Sequence, residues 1–569
     1  MHTRKSVNLW SAIALASGVM ALAACGENPL QVNNTNNPDV PRVLSTPRGA
    51  EALLGGIFQQ EWNAQQGSLA IGVQSMVMSF ESHSGLANFG FGARANIPRQ
   101  TISNAIGNSE QGEIYNDFDK LQRAARSAAN GVAALQAFAA EGNSTGSKAR
   151  DARAISFGYF AIGYGLANVA LMYDSAAIIT PAVPSDEVPE LSAYPDVMRA
   201  ALSMLDSAIA VSNSANATTG SDGWPLPESW VSGNADITIA KWQQIIRSYK
   251  ARFRAGVART PADRAQGGLG GLVDWNLIVA DAAAGITSDF NVFANTATGW
   301  SNGVRNQLAV DATWSQMTPM ILGMADTTLA YDAWLAQPLN NKTPFLLRTP
   351  DKRFPSGETR GEQNAASAAG SKAGTPAGSR LYFYNRLPGD DKPAFSWGTW
   401  FYDNQRFWGV RAAGGNGPIV AFSKAENDLL RAEGLIITGH TDQAVPLINL
   451  TRTASGLPAI PVTTNKNAIV PGGSACVPRV PQPPNFTTTA CGTVFEALKW
   501  EKRVETSFTG YSQWFIDSRG WGDLTRGTTL EWPVPWQEIF SARQHTIYTT
   551  STVAGAGSYG CPGPLASCP

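Results

Sequence analysis

Phe422-Ser423-Lys424-Ala425-Glu426-Asn427-Asp428-Leu429-Leu430-Arg431-Ala432-Glu433-Gly434-Leu435-Ile436-Ile437 has apolar residues at Phe422, Ala425, Leu429, Ala432 and Ile436. Those three- and four-residue steps draw one face of a helix. Gly439 ends it, because a residue without Cβ takes the left-handed conformation that closes a helix. Thr441 is read as the cap of a second helix, Thr441-Asp442-Gln443-Ala444-Val445-Pro446-Leu447-Ile448-Asn449-Leu450-Thr451-Arg452, with Val445, Leu447, Ile448 and Leu450 as its apolar side. Gly456-Leu457-Pro458 stops it, and Pro446 falls near its first turn, where it is tolerated or kinks the helix. So short a turn folds the two helices back on each other.

The same spacing recurs upstream. Thr46 is a good N-cap, Pro47 suits the first helical position, and Leu53, Leu54, Ile57 and Phe58 form one stripe. Helical patterns follow over 114–138 (Phe118, Leu121, Val132), 152–173 (Tyr159, Ile162, Leu166), 195–211 and 238–259 (Trp242, Tyr249, Phe253), and a last one over 495–508. The expected fold is mostly α, and hairpins with a unit of roughly 34 residues resemble tetratricopeptide-type repeats. Between the helices lie irregular segments: 86–99, rich in Gly and aromatics; 365–380, rich in Ala, Gly and Ser; and 461–484, rich in Pro. Loops of this kind carry function more often than the scaffold does.

A chain of 569 residues with 43% hydrophobic side chains can bury a sizeable core. Only 15% are charged and the net charge is -1, so no excess of Lys and Arg is available for a phosphate-binding surface, which argues against nucleic acid as a partner. Tryptophan is unusually frequent at 17 copies, and flat aromatic faces suit stacking against sugar rings.

At the N-terminus His2, Arg4 and Lys5 precede an uncharged run over 6–24, the layout of a secretory signal peptide. The run is too short for a comfortable membrane span. Leu22-Ala23-Ala24-Cys25 resembles the bacterial lipobox, which implies cleavage before Cys25 and acylation of its thiol. Gly26, where an Asp would signal retention in the inner membrane, points to the outer membrane. The expected organisation is a signal peptide over 1–24, an extended Asn- and Pro-rich tether over 25–45, and the helical domain over 46–569. With Cys25 set aside, Cys476, Cys491, Cys561 and Cys568 permit three pairings, of which sequence proximity favours the local one. Disulfides persist in an oxidising compartment, and closing a loop of about fifteen residues stabilises by roughly 3 kcal/mol.

No catalytic constellation is found. The four histidines (His2, His83, His440, His545) lack the i, i+4 spacing of a helical zinc site, so no metal and no cofactor are expected. Gly142-Asn143-Ser144-Thr145-Gly146 has the letters of a nucleophile elbow but follows a helix pattern where a strand is needed, so it is read as a turn. A pair of glycosidase carboxylates is recognised by separation in space, not by sequence.

Several segments together resemble the SusD/RagB family of outer-membrane nutrient-binding lipoproteins. They are Glu51-Ala52-Leu53-Leu54-Gly55-Gly56; Ala152-Arg153-Ala154 through Tyr159-Phe160; Ala425 through Glu433; and Asn449-Leu450-Thr451-Arg452 with Gly456-Leu457-Pro458. The C-terminal part is the most specific: Glu501-Lys502-Arg503-Val504-Glu505, Phe508, Gly510, Trp514-Phe515, Asp517 and Arg519, then Pro533-Val534-Pro535 with Glu538-Ile539. Thr506-Ser507, Thr509 and Ile516 depart from the family pattern. Read physically, Glu501, Arg503, Glu505, Asp517 and Arg519 are scaffold ion pairs and helix-end contacts.

The resemblance implies a superhelix of four tetratricopeptide-like helical hairpins with long irregular loops. It also implies an outer-membrane, lipid-anchored binding protein, facing the exterior, that passes a nutrient to a SusC-like TonB-dependent transporter. The nutrient is expected to be a glycan or oligosaccharide, or else a peptide, and no enzymatic activity is expected. A secreted α-helical glycan hydrolase and a protein-binding helical scaffold are the alternatives. No family motif fixes the ligand contacts. The candidates on irregular segments are Phe89, Phe91 and Arg94 in the early loop and Trp300 and Trp314 in the middle of the chain.

Overall fold

The computed structural model describes residues 40–67, 70–83, 94–108, 111–218, 223–303, 316–366, 379–386, 400–543, 545–550 and 552–555. Its longer helices are α1 (Pro47–Gln66), α2 (Ile71–Met78), α3 (Gln111–Ala140), α4 (Lys148–Met172), α5 (Tyr194–Ser212), α6 (Ile239–Gly256), α7 (Trp275–Ala283), α8 (Lys424–Ile437), α9 (Thr441–Ala454), α10 (Val494–Thr506) and α11 (Gln513–Trp521). They pack in succession: α1 on α3, α3 on α4, α4 on α5, α5 on α6, α6 on α7, α7 on α8, and α8 on both α9 and α10. The mostly α architecture of stacked hairpins is what the sequence leads one to expect.

Capping accounts for most of the helix starts. Thr46 Oγ1 accepts from the Gly49 N–H at 3.1 Å, and Ser423 Oγ accepts from the Glu426 N–H at 3.0 Å. The second bond corrects the sequence boundary. Helix α8 begins at Lys424, and Phe422 instead ends a strand. Helix α9 likewise starts one residue early: His440 holds the cap position and Thr441 is already helical, because Gly439, at φ +87°, completes the turn by itself. The tether differs too. Its last part, Val40–Val43, is a helical turn rather than extended chain, and a proline in second place suits a first turn because its ring fixes φ near the helical value.

Helix α4 is long and apolar enough to cross a membrane, with mean hydropathy 1.4, yet 89% of that window is buried within the fold. Its glycines allow this. A Cβ at Gly158 would sit 2.4 Å from Val132 Cγ2 of α3, and one at Gly163 would sit 2.8 Å from Leu205 Cγ of α5. Helix α4 is thus clamped between its neighbours at a distance that a larger residue would prevent.

Among the described residues, four two-stranded antiparallel ribbons lie between the helices. They are β1 (Ser175–Ala177) with β2 (Leu191–Ala193), β3 (Phe290–Ala294) with β6 (Gly417–Phe422), β4 (Phe383–Asn385) with β5 (Tyr402–Asn404), and β7 (Arg479–Pro481) with β8 (Thr489–Cys491). None showed in the sequence: six of the strands have three residues, too few for a period-two pattern to register, and β6 carries Gly417 and Pro418 at its start. Cys476 and Cys491 are joined by a disulfide beside the α8, α9 and α10 core; Cys25, Cys561 and Cys568 lie outside the described residues.

The family-like segments turn out to be a set of buried ion pairs. Glu426 and Glu433, two helical turns apart on one face of α8, take Arg252 at 2.6 Å and Arg264 at 2.6 Å. Arg264 also meets Asp517 at 2.8 Å, and Lys502 joins the same group at 2.9 Å. Glu501 and Glu505 share Arg353, at 2.9 and 3.0 Å, while Arg503 pairs with Asp523. Arg519 donates to the carbonyls of Leu171, Gly256 and Leu530, so it closes the C-terminal ends of α4 and α6, and burial pushes its guanidinium down to about 9. Asn449 exchanges two hydrogen bonds with the backbone of Ile460, and Arg452 donates to the Pro458 carbonyl at 2.7 Å, which is the physical content of the Asn449…Arg452…Gly456-Leu457-Pro458 pattern.

Asp117 of α3 is fully buried, where it accepts from the Tyr511 hydroxyl and from the Ile71 N–H at the start of α2. Burial outweighs these bonds and pushes its carboxyl up to about 7. A raised folded-state value makes the native state hold the proton more tightly, so this contribution is complete below about pH 4 and is lost as pH rises through 7. Raising the pH from about 6 to about 8 is expected to remove roughly 1.4 kcal/mol from the wild type through this group, and Asp117→Asn should abolish that part of the slope. Urea unfolding at both pH values checks it; an unchanged slope in the variant would assign the effect elsewhere. His83 has the opposite sign. Burial and Arg99 hold it down to about 3, so its contribution is present above about pH 6.5 and is lost on acidification.

Candidate functional site

The two sequence-nominated loop regions are rooted side by side. His83, the last described residue before the early loop, exchanges two backbone hydrogen bonds of 2.7 Å with Gln316, the first described residue after the middle segment. The next residue, Met317, donates to the Tyr402 carbonyl at 3.3 Å, and Arg386 donates to the Phe401 carbonyl at 2.8 Å. The end of the chain before 84–93, the start of the chain after 304–315 and both flanks of 387–399 therefore meet at one place on the fold. His83, Met317 and Trp400 are buried there, which fixes the roots.

Helix α1 anchors the other end of the middle segment. Asn295 and Trp300 exchange two 3.0 Å backbone bonds that close a small hairpin. Gln59 donates to the Thr298 carbonyl and Asn63 to the Gly299 carbonyl, each at 2.8 Å, while Trp62 Nε1 donates to the Ser301 carbonyl at 2.8 Å. These three residues lie on one side of α1 because they are three and four positions apart.

Of the nominated contacts, Trp300 is 3% exposed and packs on Phe58 with ring centroids 6.2 Å apart. Arg94 is 4% exposed, and its Nε donates to Gln74 Oε1 at 3.1 Å. Both are built into the scaffold and offer no open face. Phe89, Phe91 and Trp314 lie outside the described residues. Near the roots the structure adds Phe401, half-buried, with the Arg360 guanidinium 4.6 Å from its ring centroid, and Phe345, half-buried, 5.2 Å from Trp400. Neither stood out in the sequence, since contacts between distant segments, Phe345 with Trp400 and Phe401 with Arg360, bring them to the loop roots.

Among the described residues, no group of three or more His, Cys, Asp and Glu is placed to hold a metal ion. The Gly142 to Gly146 segment is a turn between α3 and α4, where Asp151 accepts from the Thr145 N–H and hydroxyl, so the serine there has no strand beneath it. An open cleft of about 430 Å³ lies between α3 and the chain around 177–189. Its Arg126 is committed to the carbonyls of Val183, Pro184 and Glu187, and its Arg543 to Glu538, so both cations hold the chain in place.

No family model matches the chain, and no curated protein matches it in sequence. Solved structures do match its fold. A SusD-like protein from Bacteroides fragilis aligns over 89% of this chain and 97% of its own, with 13% identity and a TM-score of 0.52. A SusD superfamily protein from Bacteroides vulgatus aligns over 85% of this chain and 89% of its own, with 13% identity and a TM-score of 0.51. A further SusD superfamily protein from Bacteroides fragilis aligns over 89% of this chain and 100% of its own, with 12% identity and a TM-score of 0.50. At such identities the shared property is the fold, and it spans nearly the full length of each neighbour.

Proposed function

We propose that this protein, with its SusD-like fold, is a surface lipoprotein of the outer membrane that captures a glycan or oligosaccharide and delivers it to a SusC-like TonB-dependent transporter, without catalysing a reaction itself. The observation that carries the reading is that backbone hydrogen bonds among His83, Gln316, Met317, Tyr402, Phe401 and Arg386 tie together one end of 84–93, one end of 304–315 and both ends of 387–399. Binding residues are best placed on loops held by a rigid scaffold. In this reading residues 1–24 are removed, Cys25 carries the lipid, 25–45 tethers the domain over 46–569, and Phe89, Phe91 and Trp314 supply contact surface. Arg94 and Trp300 belong to the scaffold, on Gln74 and Phe58.

The experiment expresses the full chain with its leader in a bacterium that makes outer-membrane lipoproteins. The wild type should fractionate with the outer membrane and, after mild detergent extraction, bring down a large β-barrel protein. Cys25→Ser should be soluble or unprocessed. Trp314→Ala and Phe89→Ala should keep the wild-type melting temperature and weaken oligosaccharide binding several-fold, since an aromatic platform contributes about 0.5–1.5 kcal/mol beyond burial. A processed Cys25→Ser protein still in the outer membrane would refute the anchor. Recovery of monomer alone in several detergents would refute the transporter partnership.

A further inference from the structure

The β3–β6 ribbon turns Phe290, Val292 and Ala294 into the core and leaves Asn291 and Phe293 on its outer face, opposite Val420 and Pro418. Along that face runs a cleft of about 480 Å³, a size suited to a small ligand. Val420 and Pro418 line it from the ribbon, and Arg406, Phe407 and Gly409 line it from the turn that precedes β6.

Its polar groups have unused bonding capacity. Asn291 Oδ1 is shielded from solvent and accepts no hydrogen bond within the protein, a state that native proteins rarely leave uncompensated. Arg406 spends Nη1 on the Glu505 carbonyl at 2.7 Å, and its Nε and Nη2 have no acceptor among the described residues. Asp289 spends Oδ1 on the Lys424 N–H at 2.8 Å, and its Oδ2 is unused among the described residues. Arg406 and Asp289 line one cleft without pairing with each other.

We propose that this cleft binds a sugar ring, a neutral polyhydroxylated ligand; the inference rests on the reading of the protein as a glycan-capturing receptor. A hydroxyl both donates and accepts, so one ring can donate to Asp289 and to the Asn291 amide and accept from Arg406. The opposite charges of Arg406 and Asp289 leave no net field that favours an anion or a cation. Pro418 and Val420 offer apolar surface for the C–H face of the ring. The cleft is also continuous with the loop roots. Asn416 on its lining accepts from the Thr296 N–H at 3.0 Å, and Asn302 donates to the Gly415 carbonyl at 2.9 Å.

Two variants test the cleft without disturbing the scaffold. A Cβ at Gly409 meets nothing within 4 Å, so Gly409→Trp fills open space. Asn291→Leu removes an unsatisfied acceptor and should leave the urea midpoint unchanged or raise it. Calorimetric titrations of the mature protein would use neutral hexasaccharides from glucan, mannan, xylan and galactan, with an oligouronate and a dipeptide beside them. The expected result is that at least one neutral hexasaccharide binds and that each variant weakens it about tenfold. Wild-type affinity in both variants, with binding still lost in Trp314→Ala, would overturn the cleft and leave the proposed function standing. Loss confined to the oligouronate or the dipeptide would overturn the ligand class. No neutral hexasaccharide bound by the wild type would overturn the cleft and the glycan reading together.

Discussion

Arg353→Ala is expected to lower the stability of the folded chain by at least about 4 kcal/mol, or to prevent folding. Arg353 has no exposed side-chain surface and makes five side-chain hydrogen bonds to three carboxylates, those of Asp351, Glu501 and Glu505. Deleting the cation leaves those carboxylates buried with much of their compensation gone. Arg452, at 4.0 Å from Glu501, and Arg380, beside Glu505, reach only part of the cluster. Arg353→Lys should fall between, because a lysine keeps the charge but cannot match two carboxylates with a planar fork. Urea unfolding followed by circular dichroism gives the measurement. An alanine variant within about 1 kcal/mol of the wild type would mean that the carboxylates can take up protons or water without loss, and the cluster would then not be structural.

Glu433→Gln should cost about 3–5 kcal/mol near neutral pH. Glu433 accepts two bonds from Arg264, at 2.6 and 2.8 Å, one from Lys502 and one from Trp521 Nε1 at 2.7 Å. Burial alone would raise its carboxyl, but Arg264 and Lys502 overcome that and hold it down to about 2. A depressed folded-state value gives stability that is complete above about pH 4.5 and is lost as pH falls toward 2. The gap between wild type and variant should therefore narrow when unfolding is repeated near pH 3. A gap of constant size would show that the amide fails for a reason other than charge, such as misplacement of Arg264.

These pairs also explain why the chain keeps one arrangement of its helices. Arg252–Glu426 joins α6 to α8, Lys502–Asp517 joins α10 to α11, and Arg264 reaches both α8 and α11. Sliding any of these helices by one turn would leave buried charges without partners. Hydrophobic contact alone tolerates such slips far better, since apolar faces are interchangeable at similar volume.

The helices were legible because burying one face of a helix imposes a 3.6-residue period, and Phe253, Leu429 and Leu498 lie in such runs whatever surrounds them. The caps at Thr46 and the stop at Gly439 were legible for the same reason, as local hydrogen bonding and backbone sterics act within a few residues. The charged motif residues could be assigned to the scaffold from composition and spacing, but their partners could not. Nothing near Glu501 in the chain announces Arg353, and nothing near Glu426 announces Arg252. Trp300 and Arg94 show the reverse limit: residue type and an irregular setting marked them as contact candidates, and packing against Phe58 and Gln74 buried them. The pairing of His83 with Gln316, and of Asn291 with Val420, joins residues far apart in the chain, so the convergence of the loop roots and the cleft on the β3–β6 ribbon exist only in the folded molecule. Local periodicity and capping are written in neighbouring residues, whereas a binding surface assembled from distant segments depends on which elements come to lie side by side, and that follows from the packing of the whole chain.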